Sequence, residues 1–191
     1  MTCRYPIAAT LFLATIACLQ EAAAAELPTA HYRKAPDDPR WLAYAAQFHG
    51  HLGPWAAAGA RLGMAGRRAV AAKGYFDVDV EVAGPFVKPP KSCFLDGLQV
   101  STGATWGKRN IRWVEDDRIV VRVRNTRSGK AVEVRPTPAL MKLLGSIKAG
   151  PKAGHRDHHA LEKIAREIAA LPESKLLELK PAVGKPVQSG P

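Results

Sequence analysis

Asp77-Val-Asp-Val-Glu-Val82 alternates acidic residues and valines without a break, and this run constrains the fold more than any other feature. A period of two places the valines on one face and the carboxylates on the other, so the segment reads as a half-buried strand. Further strands are predicted over 111–114, 119–124 and 131–135, separated by the turn residues Asp116 and Asp117, then Ser128 and Gly129. That succession suits an antiparallel β-meander. Arg118, Arg122, Arg124 and Arg135 would then stand on its outer side.

Around these strands the apolar spacing turns helical. Asp38 and Pro39 read as a helix start, the Asp as cap and the Pro in the first turn, with Trp41, Ala45 and Phe48 facing the core. A second helix is predicted from about 54 to 73 and is stopped by Gly74; Gly59 and Gly63 line one side of it, where another backbone can come close. Ser92 is placed to cap a short helix carrying Cys93 in its first turn. Helices are also predicted over 137–149 and 158–171, the latter with Leu161, Ile164, Ala165 and Ile168 as its apolar face. Helices grouped around an antiparallel sheet make an α+β fold. The expected organisation is an irregular lead-in over 26–36, one domain over 37–180, and a Pro- and Gly-bearing tail over 181–191.

The first 25 residues read as a cleavable secretory leader. Arg4 precedes a short apolar stretch, and Ala22-Ala-Ala-Ala25 supplies the small residues of a cleavage site before Glu26. The apolar stretch is shorter than the roughly 20 residues that a membrane span needs. A periplasmic or secreted location follows as the expectation, with no membrane attachment after cleavage. Cleavage would remove Arg4 and Glu21 together, so the formal charge of +11 is kept. It would also remove Cys3 and Cys18, leaving Cys93 alone and no internal disulfide. The positive charge predicts attraction to anionic ligands or surfaces and does not by itself argue for specific nucleic-acid binding.

Several groups could carry chemistry. His49-Gly-His51 holds two imidazoles that an irregular chain at Gly50 could turn toward one point, just ahead of a helix N-terminus. They could equally be loop histidines satisfied by hydrogen bonds. Cys93 could be a thiolate favoured by its helix and by Lys88 and Lys91, or a small buried hydrophobe. Asp96, three residues on, would share its face. Gly103-Ala-Thr-Trp-Gly-Lys-Arg-Asn110 is not a nucleotide loop: three residues separate its glycines where four are needed, and Arg109 follows the Lys. His155, His158 and His159 read as an exposed helix start, with His155 and His159 at metal-pair spacing.

Phe48-His-Gly-His-Leu-Gly-Pro54, then Cys93-Phe-Leu-Asp-Gly-Leu-Gln99, then Thr102-Gly-Ala-Thr-Trp-Gly-Lys-Arg-Asn110 together resemble the FmdE family of formylmethanofuran dehydrogenase proteins. The family's pattern looks like F-H-G-H-x-C-P-G, C-x-x-D-A-x-Q and T-G-C-T-x-G-K-G-N. The resemblance runs over about 38–180 and implies an α+β core, often a homodimer, with a cleft lined by His and Cys. It joins His49, His51 and Cys93 into one site for one transition metal, zinc being the first choice. It makes Asp96, Gln99, Thr105, Lys108 and Asn110 neighbours that orient ligands or bind a small anionic substrate. Gly53 stands where the pattern has Cys, Trp55 where it has Gly, Ala104 where it has Cys, and Arg109 where it has Gly; the C-terminal zinc finger of some members is missing. Export would also separate this chain from a cytoplasmic methanofuran enzyme, so the family name does not transfer as an activity. The expectation is an exported metal-binding protein, either a metal carrier or an enzyme acting on a small anionic substrate. The competing reading is a polyanion- or partner-binding module using the arginine face, and Cys93 could alternatively join two subunits.

Overall fold

The computed structural model describes residues 27–147 and 157–182. The expected leader, His155 and the tail beyond 182 lie outside the described residues. In chain order the elements are α1 (Arg40–His49), α2 (Pro54–Ala69), β1 (Val78–Gly84), α3 (Cys93–Thr102), β2 (Ile111–Glu115), β3 (Val120–Asn125), β4 (Ala131–Pro136), α4 (Pro138–Gly145), α5 (His158–Ala170), α6 (Glu173–Leu176) and β5 (Leu177–Pro181). Helices and one mainly antiparallel sheet make the fold α+β, as the patterning indicates.

The sheet order, β2-β1-β3-β4-β5, corrects the simple meander. β1 lies between β2 and β3, pairing parallel with β2 and antiparallel with β3. The reason is the connection: parallel neighbours need a crossover, and α3 supplies it between β1 and β2. β3 and β4 do form the expected hairpin, with Gly129 at φ 73 in its turn and Asn125 Oδ1 accepting from the N–H groups of Arg127 and Ser128. β5 was not legible, because only Leu177 of its five residues is buried and the rest is an exposed edge.

Burial follows the alternation of β1: Val78, Val80 and Val82 face the core, while Asp79 and Glu81 face out. The outer arginines expected from the sequence are there, in partnership with these carboxylates. Arg122 reaches Glu81 at 2.7 Å and Glu133 at 2.9 Å, Arg124 reaches Asp79 at 2.5 Å, and Arg135 reaches Glu133 at 2.7 Å.

α2 lies over the inner face of the sheet. A Cβ on Gly66 would come within 2.6 Å of a Val123 methyl. Small residues, Ala and Gly, fill most of the buried positions of α2, and it is buried nearly all round, as a central helix requires. Arg61, on the same helix, donates to the carbonyls of Ala169 (2.5 Å) and Leu171 (2.7 Å), which end α5. Gly59 does admit a second backbone, that of α3, whereas Gly63 faces α3 side chains, those of Ser101, Thr102 and Leu98. Among the described residues no helix is long and apolar enough to cross a membrane.

Two expectations at the start of the domain change. Phe48 is exposed, and α1 instead buries Leu42, Ala45 and Ala46, a stripe offset from the one expected. Asp38 does not cap α1, whose N-cap is Pro39. Its side chain, 4 % exposed, turns inward to accept from Ala35 N–H (2.8 Å), Tyr32 Oη–H (2.7 Å) and Arg166 Nε (2.9 Å). The lead-in is therefore irregular but fastened: Arg33 N–H donates to Glu162, and Gln47 donates to the carbonyl of Pro28.

Burial pushes the Asp38 carboxyl up, but Arg166, the Ala35 N–H and the Tyr32 hydroxyl together hold it below the usual carboxylate range. A depressed folded-state pKa means stability that is present above about pH 4 and lost as pH falls further. Asp38→Asn is expected to cost about 3 kcal/mol at neutral pH, because Arg166 loses its anion in a largely buried place. Urea denaturation should show that deficit at pH 7 and a much smaller one near pH 3. A deficit equal at both pH values would show that the ion pair contributes nothing.

Candidate functional site

α1 ends at His49 because Gly50 turns left-handed, at φ 89, and donates its N–H to the Ala46 carbonyl. The chain then runs extended through His51, Leu52 and Gly53 into α2, which begins at Pro54. The reversal sets the rings of His49 and His51 with centroids 4.5 Å apart, tilted by 43°. Both Nε2 atoms face Gly53: a Cβ there would lie 3.2 Å from His51 Nε2 and 3.7 Å from His49 Nε2.

α3 opens on Cys93, which is 8 % exposed, and Asp96 follows one turn later. Asp96 Oδ2 meets His49 Nδ1 at 2.6 Å. The His49 side chain is only 10 % exposed, and its Nε2 is buried with no well-formed hydrogen bond to any described residue. The Asp96 carboxylate, and after it the Cys93 sulfur, hold the His49 imidazolium charged up to about pH 9 against the opposing effect of burial. The sulfur is thus a neighbour of the ring rather than a remote core atom. His49 thus has Asp96 and Cys93 beside it, and His51 lies next to it on the Gly53 side. Among the described residues no three or more His, Cys, Asp or Glu side chains are already gathered to hold a metal ion.

The other residues singled out from the sequence lie in and around the loop after α3. Asn110 Oδ1 accepts from Thr105 N–H at 2.9 Å while its Nδ2 donates to the Val78 carbonyl at 2.9 Å. Thr105 Oγ1 accepts from Lys108 N–H, and Gln99 Oε1 accepts from Trp106 N–H at 3.4 Å. Gln99, Thr105 and Asn110 therefore shape this loop and tie it to β1. The Lys108 ammonium lies over the rings of Tyr75 and Phe76, 5.9 and 5.7 Å from their centroids.

Two departures from the resembled pattern acquire a physical meaning. Arg109, where the pattern has Gly, takes φ 54, a left-handed conformation that glycine adopts without strain. Ala104, where the pattern has Cys, is fully buried in the core.

Sequence reasoning missed His31. Its N–H donates to the Gly50 carbonyl at 2.7 Å, and it bridges in parallel to His51. No local pattern marks it, since only the fold returns the lead-in to the His49-Gly-His51 turn. His158, the first residue of α5, packs edge-on to His51 at 5.5 Å and stacks on His31 at 5.4 Å.

Compared with known families, residues 48–178 match the family model described as FmdE, Molybdenum formylmethanofuran dehydrogenase operon. The matched stretch contains His49, His51, Cys93, Asp96 and His158, and leaves His31 and Asp38 outside. Comparison with curated proteins gives no match.

Proposed function

Because the chain belongs to the FmdE family, we propose that it is a metal-binding protein with one transition-metal site built from His49, His51 and Cys93. The observation that carries this reading is the state of His49. Its Nδ1 is anchored by Asp96 at 2.6 Å, while its Nε2 is buried, without a well-formed hydrogen bond, and directed with His51 Nε2 toward Gly53. A buried polar nitrogen without a well-formed hydrogen bond is costly, and a carboxylate on the far nitrogen is the usual way of orienting an imidazole ligand.

Two imidazoles and a thiolate suit zinc or another borderline metal and exclude hard cations such as Mg²⁺ or Ca²⁺. The missing side chain at Gly53 leaves the remaining position open, where the resembled pattern has Cys, a potential sulfur ligand. A metal held there would supply Lewis acidity toward a small anionic ligand or substrate. The chain's own part is to fix the His49 ring through Asp96 and to bury the sulfur at the start of α3. The leader expected over residues 1–25 makes the periplasm or the exterior the compartment in which this site works.

The competing module reading needs a free cationic face. Arg122, Arg124 and Arg135 are engaged by the carboxylates of their own sheet and Arg118 by Asp116 in the turn after β2, so no specific observation favours it.

Metal analysis of the protein purified from its native compartment tests the proposal. Near-stoichiometric zinc or a related metal is expected, and the His49→Ala, His51→Ala double variant should retain almost none. Equal, near-zero metal in both proteins would end the metal reading.

A further inference from the structure

Four imidazoles stand in a row from the surface to the buried Nε2 of His49: His31, His158, His51 and His49. Successive ring centroids are 5.4, 5.5 and 4.5 Å apart. A tetrahedral metal bound by two imidazole nitrogens at about 2.05 Å holds its two rings roughly 5 Å apart, centre to centre. The outer two rings now stack, with 30° between their planes, at a spacing that one ion can bridge once these exposed side chains turn a nitrogen each toward it. Both His31 and His158 are exposed, so their pairing is not a by-product of core packing.

From these distances we propose that His31 and His158 form a second, outer site for a divalent borderline metal such as Zn²⁺, through which the inner site is loaded. The loading role rests on the metal reading of His49, His51 and Cys93; the outer site itself does not.

The fold holds this pair in place from both sides. The His31 N–H bond to Gly50 and the Arg33 N–H bond to Glu162 fasten the lead-in across the mouth of the inner site. Asp157 caps α5 through Ala160 N–H and so fixes where His158 leaves the helix. Between them opens a cavity of about 360 Å³ whose lining includes His31, His158, His159 and Glu162. That is room for an ion with its remaining waters. Glu162 is not a ligand here, because its two oxygens already accept from Arg33 N–H and the Arg166 guanidinium. With two imidazoles and no carboxylate the site favours Zn²⁺, Cu²⁺ or Ni²⁺ over Mg²⁺ and Ca²⁺. Two protein ligands bind more weakly than three, which suits capture followed by transfer. His51, next to both His158 and His49, is the ring across which an ion would pass.

The test uses the full chain with the inner site removed by His49→Ala and Cys93→Ser, titrated with Zn²⁺ by calorimetry. One weak binding event is expected, and adding His31→Ala with His158→Ala should lower its affinity by more than about tenfold. Because both residues are exposed, circular dichroism should show the folded chain retained. Zn²⁺ affinity unchanged by the added pair, or binding lost only with His159→Ala, would overturn the outer site.

A separate arm follows Co²⁺ added to the metal-free parent, where thiolate absorption reports Cys93. The band should form more than about tenfold slower in His31→Ala, His158→Ala, with the same final amplitude. Formation at the parent rate would overturn the loading role. Absence of the band in the parent would instead remove the inner site and the loading role together, while the Zn²⁺ titration would still decide the outer pair.

Discussion

Gly97→Ala is expected to abolish folding, or to cost more than about 4 kcal/mol, although alanine is the better helix former. On an exposed helix the same exchange stabilises by about 0.5–1 kcal/mol. Here the added Cβ would lie 2.0 Å from the Ala56 carbonyl oxygen and 2.6 Å from the Ala60 nitrogen, both backbone atoms of α2. Backbone cannot rotate aside as a side chain can, so α3 must be displaced as a unit. Gly59 faces it across the same crossing, where a Cβ would lie 2.0 Å from the Phe94 carbonyl oxygen. The two helices meet with no side chain between them at these points. Displacing α3 also carries Cys93 and Asp96 away from His49, so the site should fail with the fold. Gly145→Ala, at the end of α4 with nothing within 4 Å of the new carbon, is the control and should be neutral or mildly stabilising. Denaturant midpoints and soluble yield give the comparison. A Gly97→Ala protein as stable as its parent would mean that α2 and α3 do not cross this closely.

The second large effect is expected from Asp96→Asn, which keeps the shape of the side chain and can still accept a hydrogen bond, but removes the charge. In the metal-free protein His49 should then titrate back toward the ordinary histidine value near 6.5 instead of about 9. A pKa raised by folding contributes stability that is complete below about pH 6.5 and lost as pH rises through about 9. The parent should therefore exceed Asp96→Asn by roughly 2–3 kcal/mol at pH 6, less whatever Cys93 supplies, and by almost nothing at pH 10. Nuclear magnetic resonance of the ring protons and denaturation across that range measure both quantities. In the metal-bound protein the same substitution should lower affinity by about 10–100-fold, since the carboxylate no longer orients the ring. Unchanged affinity would separate Asp96 from the metal site even if the pKa moved as expected.

The alternation of β1, the turn at Gly129 and the helix opening on Cys93 were all readable along the chain. Each depends on contacts within a few residues, and a short run of sequence carries all the information such contacts need. The small-residue side of α2 was readable as a place of close approach, though its partner, α3 with Gly97, was not. The outer arginines were placed correctly, but their neutralisation depends on which strand lies beside which. Glu81 opposite Arg122, and Arg122 opposite Glu133, are facts of register between β1, β3 and β4. Asp38 has a cap's identity and position, yet Arg166, 128 residues away, draws it inward.

By itself the chain determined its α+β class, most of its helices and strands, its family, and which His, Cys and Asp residues deserved attention. These follow from periodicity, turn chemistry and motif order, which are local or read along one line. Tertiary structure alone decided that β1 enters between β2 and β3, that His49 Nδ1 meets Asp96, and that His31 returns to lie beside His51 and His158. Such meetings are set by burial of the whole core and by the path of the crossover through α3. No window of sequence contains both partners.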